Sequence, residues 1–261
     1  MTIQLNVSDL TLKIANKTLL SNISFDLLKG DYLCILGPNG AGKSSLLKIL
    51  MGITPASSGE VIIHQQSLSQ LSQKQRARQL SYVPQAHQGL LHFKVEEFIK
   101  MGRYAHHSVL SEWNTNDRLA VERAITITQT EGFLKRQMNT LSGGEAQRVM
   151  IAAALCQQTP ILLLDEPTSF LDPRHQVEVH QLIMQLNQQH GISIIEVSHD
   201  LNHAAQHSQH ILALKQGKKL WYGPSADLLE TDRLSALYEQ QFVFTSHPQT
   251  GAKVALPSEV L

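Results

Sequence analysis

Gly37-Pro38-Asn39-Gly40-Ala41-Gly42-Lys43-Ser44 is the stretch from which the rest of the chain can be read. It fits the pattern G-x-x-x-x-G-K-[ST]. It lies between a short apolar run, residues 31–37, and a helical run, residues 43–51, that is stopped by Gly52 and Pro55. A strand, a glycine turn and a helix in that order are the setting in which this pattern binds phosphate. Glycines let successive backbone N–H groups turn inward and form a concave anion site. The N-terminus of the next helix adds a positive dipole end. Lys43 reaches the β- and γ-phosphates as a point charge, and the Ser44 hydroxyl is a ligand for Mg²⁺. The bland alternative is a plain glycine turn, and the strand–turn–helix context outweighs it. By itself the loop says only that a nucleotide is bound, because many unrelated chemistries share it.

A second segment narrows the choice. Ile161-Leu162-Leu163-Leu164 is an apolar strand that ends in Asp165-Glu166. A buried strand delivers its C-terminal end to the crevice where α/β sheets bind ligands. Adjacent strand residues point to opposite faces, so the two acids are expected to have different tasks. Asp165 suits the surroundings of Mg²⁺, and Glu166 suits a general base that polarises an attacking water.

Working outward, residues 3–28 alternate polar and apolar positions (Ile3, Leu5, Val7, then Ile23, Phe25, Leu27), which predicts antiparallel strands. Residues 60–64, 80–83, 161–164 and 192–197 read as strands. Residues 95–104, 117–132 and 143–157 read as helices. Residues 211–222 read as a strand pair turning at Gln216-Gly217. From residue 225 onward the sequence predicts one or two short helices and then a polar end. Strands alternating with helices imply an α/β fold with a mainly parallel sheet. The expected organisation is one domain: a nucleotide-binding core with antiparallel strands over residues 1–86 and 159–224, a helical subdomain over 87–158, and C-terminal helices and tail over 225–261.

The 261 residues hold 22 Lys plus Arg and 22 Asp plus Glu, so the formal charge is zero with His neutral. That balance argues against nucleic acid as a partner, since nucleic-acid binders usually carry a basic surplus. Two cysteines, Cys34 and Cys156, make no disulfide framework and read as buried thiols. The longest apolar run, residues 149–156, is too short to span a bilayer, and the first ten residues lack the pattern of a secretory signal. A protein outside the bilayer is expected, with any membrane connection made through a partner.

Leu141-Ser142-Gly143-Gly144-Glu145 opens a helix. Ser142 with Glu145 is a capping box. A cap needs no pair of glycines in the first turn, where they weaken a helix. Exposed N–H groups, a hydroxyl and a helix dipole together form a second anion site.

Taken together, these segments make the sequence resemble the ATP-binding cassette (ABC) ATPases over nearly its whole length. The residues 37–45 stretch looks like their Walker A loop, with Ser45 in place of the usual threonine. Residues 161–167 look like their Walker B strand and residues 141–145 like their signature motif. Gln85 matches the Q-loop, Thr168-Ser169-Phe170-Leu171-Asp172 the D-loop, and His199 the switch histidine. The resemblance implies a P-loop NTPase (RecA-like) core with an antiparallel β subdomain and an inserted helical subdomain. It implies two copies pairing head to tail around two ATP molecules. Ser142, Gly143, Gly144 and Glu145 of one copy would then meet the γ-phosphate held at Lys43 of the other. It also implies Gln85 at the Mg²⁺ and the water, His199 at the γ-phosphate, and Asp172 at the contact between protomers.

Each of these residues also has a plainer reading. Gln85 after Pro84 is a plausible solvated amide, and Asp172 before Pro173 is a good N-cap. His199, His203 and His207 recur every four residues on a predicted helix, a spacing that invites a metal reading, but no carboxylate or cysteine completes a set there and solvated helix positions are the default. Where many family members stack an aromatic residue on adenine, this chain has Ile14.

A single cassette without a membrane span resembles importer ATPases that dock on separate membrane subunits. Residues 95–104, 171–176 and 198–204 are similar to the iron-chelate (siderophore), haem and cobalamin importer branch. The resemblance implies an ATPase on the cytoplasmic face of the inner membrane, two permease subunits, and a periplasmic binding protein acting indirectly. The surface that receives a permease helix is expected over residues 85–104, with Phe93, Val95 and Phe98 as apolar contacts or as core. A soluble ABC ATPase without a transporter is the rival from another class.

Overall fold

A computed structural model describes residues 2–85, 92–107 and 112–258. The chain runs β1 (Ile3–Ile14), β2 (Lys17–Leu28), β3 (Tyr32–Leu36), α1 (Lys43–Leu50), β4 (Ser58–Ile63), β5 (Gln66–Ser67), α2 (Gln73–Arg76), β6 (Leu80–Val83), α3 (Val95–Met101), α4 (Thr115–Thr128), α5 (Gly143–Cys156), β7 (Ile161–Asp165), α6 (Pro173–Gln188), β8 (Ser193–Val197), α7 (Leu201–His207), β9 (His210–Lys215), β10 (Lys218–Pro224), α8 (Thr231–Tyr238), β11 (Phe242–Ser246) and β12 (Lys253–Pro257). It divides into two units: Met1–Gln70 with Ser193–Leu261, and Leu71–Ile192.

In the first unit, β1 pairs antiparallel with β2 on one side and β4 on the other. Leu5, Val7, Ile23, Phe25 and Leu27 are buried while most of their neighbours are not, the one-sided burial that a period of two produces. β10 joins β2 in parallel and turns back on β9 through Gln216 and Gly217. Both turn residues have positive φ (49° and 75°), as a tight hairpin turn requires. β3 lies between β9 and β8, parallel to both, and all five of its residues are buried. Such strands read as unbroken apolar runs because both faces are covered.

The tail departs from the expected polar end. β11 and β12 form an antiparallel hairpin. Phe242 and Phe244 alternate onto a cluster with Leu201, Leu234 and Ala255. Asn202 ties that hairpin to α7, donating to the Ala255 carbonyl at 3.1 Å and accepting its N–H at 2.9 Å. The short period-two pattern sits among polar residues, which is why it reads as coil.

In the second unit, β6 and β7 form a parallel pair. Helices α3, α4 and α5 share a core that includes Val95, Ile99, Val121, Ile125, Val149 and Ala152. Side chains cap three of these helix starts: Asn114 on α4, Ser142 on α5 and Asp172, followed by Pro173, on α6. A Cβ on Gly102 would stand 2.1 Å from the Ala153 carbonyl oxygen, so the chain leaving α3 can approach α5 only through glycine. The next residue, Arg103, is 4% exposed and donates to Asp117 Oδ1 at 3.0 Å and to the Cys156 carbonyl at 2.9 Å.

Both cysteines are buried free thiols. Among the described residues, no helix is long and apolar enough to cross a membrane.

Candidate functional site

In the first unit the phosphate loop connects β3 to α1. Gly37, Gly40 and Gly42 take φ values of 153°, 78° and 102°. Gly37 and Gly42 also have no room for a side chain: a Cβ would lie 2.1 Å from the Leu214 carbonyl oxygen and 2.7 Å from a Leu20 methyl, respectively. The loop is therefore wedged against β9 and β2. The Gly217 N–H donates to the Ala41 carbonyl at 3.0 Å, and the Ala41 N–H to the Pro38 carbonyl at 3.1 Å. Gly42 is the N-cap of α1 and supplies no side-chain acceptor. The Leu46 N–H donates to the Gly42 carbonyl at 2.9 Å, which closes the first turn of α1 on the end of the loop. The Lys43 ammonium donates to the carbonyls of Gly37 (2.7 Å) and Pro38 (3.2 Å), folding back over the loop that it would share with a phosphate.

His199 belongs to the same unit. It is exposed and precedes α7, which starts at Leu201 with Asp200 as N-cap, so it does not share a helix with His203 and His207 as its spacing suggested. It follows β8, whose Val197 is level with Ile35 of β3, and the Ser198 N–H donates to the Ile35 carbonyl at 3.2 Å. His199 and the phosphate loop thus leave neighbouring parallel strands at the same end. Ile14 stands half-exposed at the end of β1.

In the second unit, Asp165 closes β7 and accepts the Tyr82 hydroxyl at 3.2 Å. Burial, then the nearby Asp165 charge and that hydrogen bond, push the Tyr82 phenol well above its usual range, so it remains a donor. Glu166 lies beyond the strand with φ +46°, a left-handed conformation uncommon outside glycine. This kink, rather than strand alternation, separates the two acids. Glu166 Oε2 accepts the Gln85 side-chain amide at 3.0 Å and the Ser169 hydroxyl at 2.8 Å. The Ser169 N–H also donates to the Glu166 carbonyl at 3.1 Å, closing the turn that brings the hydroxyl back.

Ser142 and Gly143 are exposed at the start of α5, and Gly144 is buried. Ser142 and Glu145 form a reciprocal cap, the Ser142 N–H donating to Glu145 at 2.8 Å. Burial alone would raise the Glu145 carboxyl, yet the Ser142 N–H and the Arg136 guanidinium at 2.9 Å hold it below the usual range. The Ser142 hydroxyl in turn accepts the Glu145 N–H at 3.3 Å, so the cap closes the first turn on itself while Ser142 and Gly143 stay exposed. Asp172 caps α6 through the His175 N–H at 3.1 Å, and its other oxygen meets His175 Nδ1 at 2.6 Å. That hydrogen bond holds the Asp172 carboxyl below its ordinary value.

Ser169 and His175 lie inside segments quoted from the sequence and Tyr82 inside a predicted strand, yet none of the three carries an individual role there. The first two sit three residues after an acid (Glu166 and Asp172), the separation at which a turn or a cap returns a side chain to its origin.

The fold and these loops define a P-loop NTPase of α/β class, and the chain belongs to the ABC transporter family, whose model matches residues 20–169. It is an ATPase of that family. It is similar to the petrobactin import ATP-binding protein of Bacillus anthracis, at 40% identity over 210 residues, covering 80% of this chain and 77% of that one. It is also similar to the hemin import ATP-binding protein of Thermobifida fusca, at 37% identity, covering 98% and 89%. Among solved structures, a metal-chelate type ABC transporter in an inward-facing conformation matches with a TM-score of 0.87 and 26% identity over 99% of each chain. The dimeric structure of a bacterial ABC transporter cassette matches with a TM-score of 0.74 and 26% identity, over 85% of this chain and 98% of that one.

Proposed function

We propose that this chain is the ATP-hydrolysing subunit of an importer, and that it powers uptake of an iron–siderophore complex through two separate membrane permease subunits supplied by a periplasmic binding protein. The observation that carries the hydrolytic role is Glu166, kinked out of its strand and held on one oxygen by Gln85 and Ser169. The import-subunit relatives support the coupling to transport, and the petrobactin relative supports the substrate class.

In this reading, residues 37–45 hold the triphosphate: the loop and α1 amides cradle it and Lys43 answers its charge. The oxygens of Ser44, Asp165 and Gln85 are the hard donors that suit Mg²⁺, and these residues would hold it. When bound, the ion neutralises charge on the phosphates. Glu166 takes a proton from the attacking water, Gln85 orients that water and His199 contacts the γ-phosphate. Ser142, Gly143, Gly144 and Glu145 seal the ATP held by a second copy, and Asp172 shapes the contact between copies. The dimeric cassette supports the pairing of two copies. ATP favours the closed pair because it binds that form more tightly, and hydrolysis releases it. The working position is the cytoplasmic face of the inner membrane, reached through the permeases. The structure describes residues 92–104 of the expected docking stretch but not 86–91. There Val95 is core, while Phe93 is 41% exposed and available for a contact.

Glu166→Gln should keep ATP binding and lower turnover about 10²-fold or more, the usual loss of a general base. Near-normal turnover would remove Glu166 from that role. A strain lacking this chain should lose uptake of labelled ferric siderophore. The hemin relative makes haem the second reading, and loss of haem uptake with siderophore uptake intact would replace the first. Cobalamin is a further arm of the same assay. Co-purification with two membrane subunits separates an importer from a soluble ATPase.

A further inference from the structure

The tip of α5 and the start of α6 are joined by one side chain. A Cβ on Gly144 would lie 2.5 Å from Cδ2, 2.7 Å from Cγ and 2.9 Å from Cβ of His175. The Cβ–Cγ–Cδ2 side of His175 is therefore packed against the Gly144 backbone, and its root is fixed in the first turn of α6. On its other side, Nδ1 meets Asp172 Oδ2 at 2.6 Å while the His175 N–H holds Asp172 Oδ1 at 3.1 Å. A Cβ on Gly143 would meet a Leu171 methyl at 3.1 Å, so the residue before Asp172 supports the residue before Gly144. Gln176 adds a bond to the Leu171 carbonyl at 3.1 Å. A glycine is required at 144 because His175 occupies the space of its side chain.

We propose that His175 is a positioning residue that makes the Ser142–Gly144 tip and Asp172 a single rigid edge, so that the tip meets the nucleotide of a second copy in register. The inference rests on the head-to-tail reading given above. Neither half of the contact substitutes for the other: the ring sets the height of the tip, and Nδ1 sets the angle of the ring. A displacement of this edge leaves the cradle at Lys43 untouched, because His175 acts on the nucleotide of the partner copy.

The experiment uses the full chain with Mg-ATP. In a Glu166→Gln background, sedimentation measures ATP-dependent dimer formation, and fluorescent nucleotide binding to dilute protein measures the cradle alone. In the Glu166 chain, kcat and KM are measured. His175→Ala is expected to weaken dimer formation and to lower kcat about ten-fold or more, the scale of a small misplacement, with nucleotide binding to the dilute protein unchanged. His175→Phe keeps a ring against Gly144 and loses the bond to Asp172. His175→Asn keeps a polar group near the Nδ1 position and loses the ring. Each should recover part of the loss.

If His175 only stabilises the fold, the three variants will lose nucleotide binding, kcat and thermal stability together, and the proposal is overturned. It is also overturned if dimer formation and kcat stay within two-fold of the parent. Ser142→Arg identifies which claim failed. If the Glu166→Gln chain dimerises with ATP and Ser142→Arg blocks it while His175 variants do not, only the role of His175 is wrong. If ATP produces no dimer, or Ser142→Arg leaves it intact, the head-to-tail reading fails and the proposal falls with it.

Discussion

The Gln85 side-chain amide donates to Glu166 Oε2 at 3.0 Å, from a residue 81 positions earlier in the chain. The Ser169 hydroxyl reaches the same oxygen at 2.8 Å. Two donors on one carboxylate oxygen fix the plane and direction of the acid, which a base must have before it meets a water. Ser169→Ala removes one of them. A hydrogen bond to a charged group is worth about 1.5–3 kcal/mol, so kcat should fall about ten-fold with KM for ATP little changed. Steady-state hydrolysis checks this. An unaltered kcat would mean that Ser169 closes the turn without orienting Glu166.

Lys43 is 6% exposed and bound to the loop carbonyls of Gly37 and Pro38. Lys43→Ala leaves those carbonyls and the glycine turn in place but removes the one side-chain cation of the loop. ATP affinity should fall by about ten-fold or more, with the melting temperature of the nucleotide-free protein nearly unchanged. Equilibrium binding and thermal unfolding measure the two parts separately. Unchanged affinity would argue against the phosphate-loop assignment.

Arg103 and Asp117, 4% and 1% exposed, form a buried pair in the helical unit. Asp117 also accepts the Asn114 N–H at 3.0 Å and faces His107 Nε2 at 3.2 Å. Burial opposes the charge on Asp117, but these partners hold its carboxyl below the usual range. Asp117→Ala takes the counter-charge from a buried guanidinium, leaving it only the neutral oxygens of Cys156 and Gln158, and should destabilise the chain by about 3–5 kcal/mol. Urea unfolding of both proteins gives the difference. A loss under about 1 kcal/mol would show that Arg103 finds water or another partner.

Glu196, fully buried on β8, gives the fold a pH dependence of its own. It accepts the Tyr32 hydroxyl, its neighbours include Asp200, and His203 stands within 4.8 Å of the carboxylate. Burial raises its carboxyl from 4.5 to about 7, opposed by the Tyr32 bond and reinforced by Asp200. A raised folded value favours the protonated form. This contribution is fully present below about 4.5 and is lost as pH rises through about 7. The loss amounts to about 3 kcal/mol, at 1.36 kcal/mol for each unit. Glu196→Gln should be insensitive to that titration. The stability difference between the two proteins should therefore shift in favour of the variant between pH 4.5 and 7. A difference that does not vary with pH would show that Glu196 titrates normally.

Much of this organisation is legible in the sequence because its signals are local. The turn at Gly37 to Ser44 between a strand and a helix is legible because glycine spacing, strand and helix are contiguous. The Gln216-Gly217 turn is fixed by two adjacent residues. The caps Ser142 and Asp172 announce themselves through the residues beside them. The Met101-Gly102-Arg103 run shows as a pattern, but its cause is distant: Gly102 meets the Ala153 carbonyl and Arg103 meets Asp117. Glu166 reads as the last residue of a strand because nothing local announces its left-handed φ. His199 reads as helical because its four-residue spacing to His203 is real, but Asp200 starts the helix one residue too late to include it. His175 carries no signal in composition, since its role comes from the absence of a side chain at Gly144, on another helix.

Cross-linking in trans tests the central claim most directly. One chain carries Asn39→Cys in the cradle and a second carries Ser142→Cys at the α5 tip, both with Glu166→Gln, and the native Cys34 and Cys156 are buried. A disulfide-linked mixed dimer should form with Mg-ATP and not without nucleotide. No mixed dimer under saturating ATP, or one that forms equally well without it, would contradict the claim that a nucleotide held by one copy is sealed by the other.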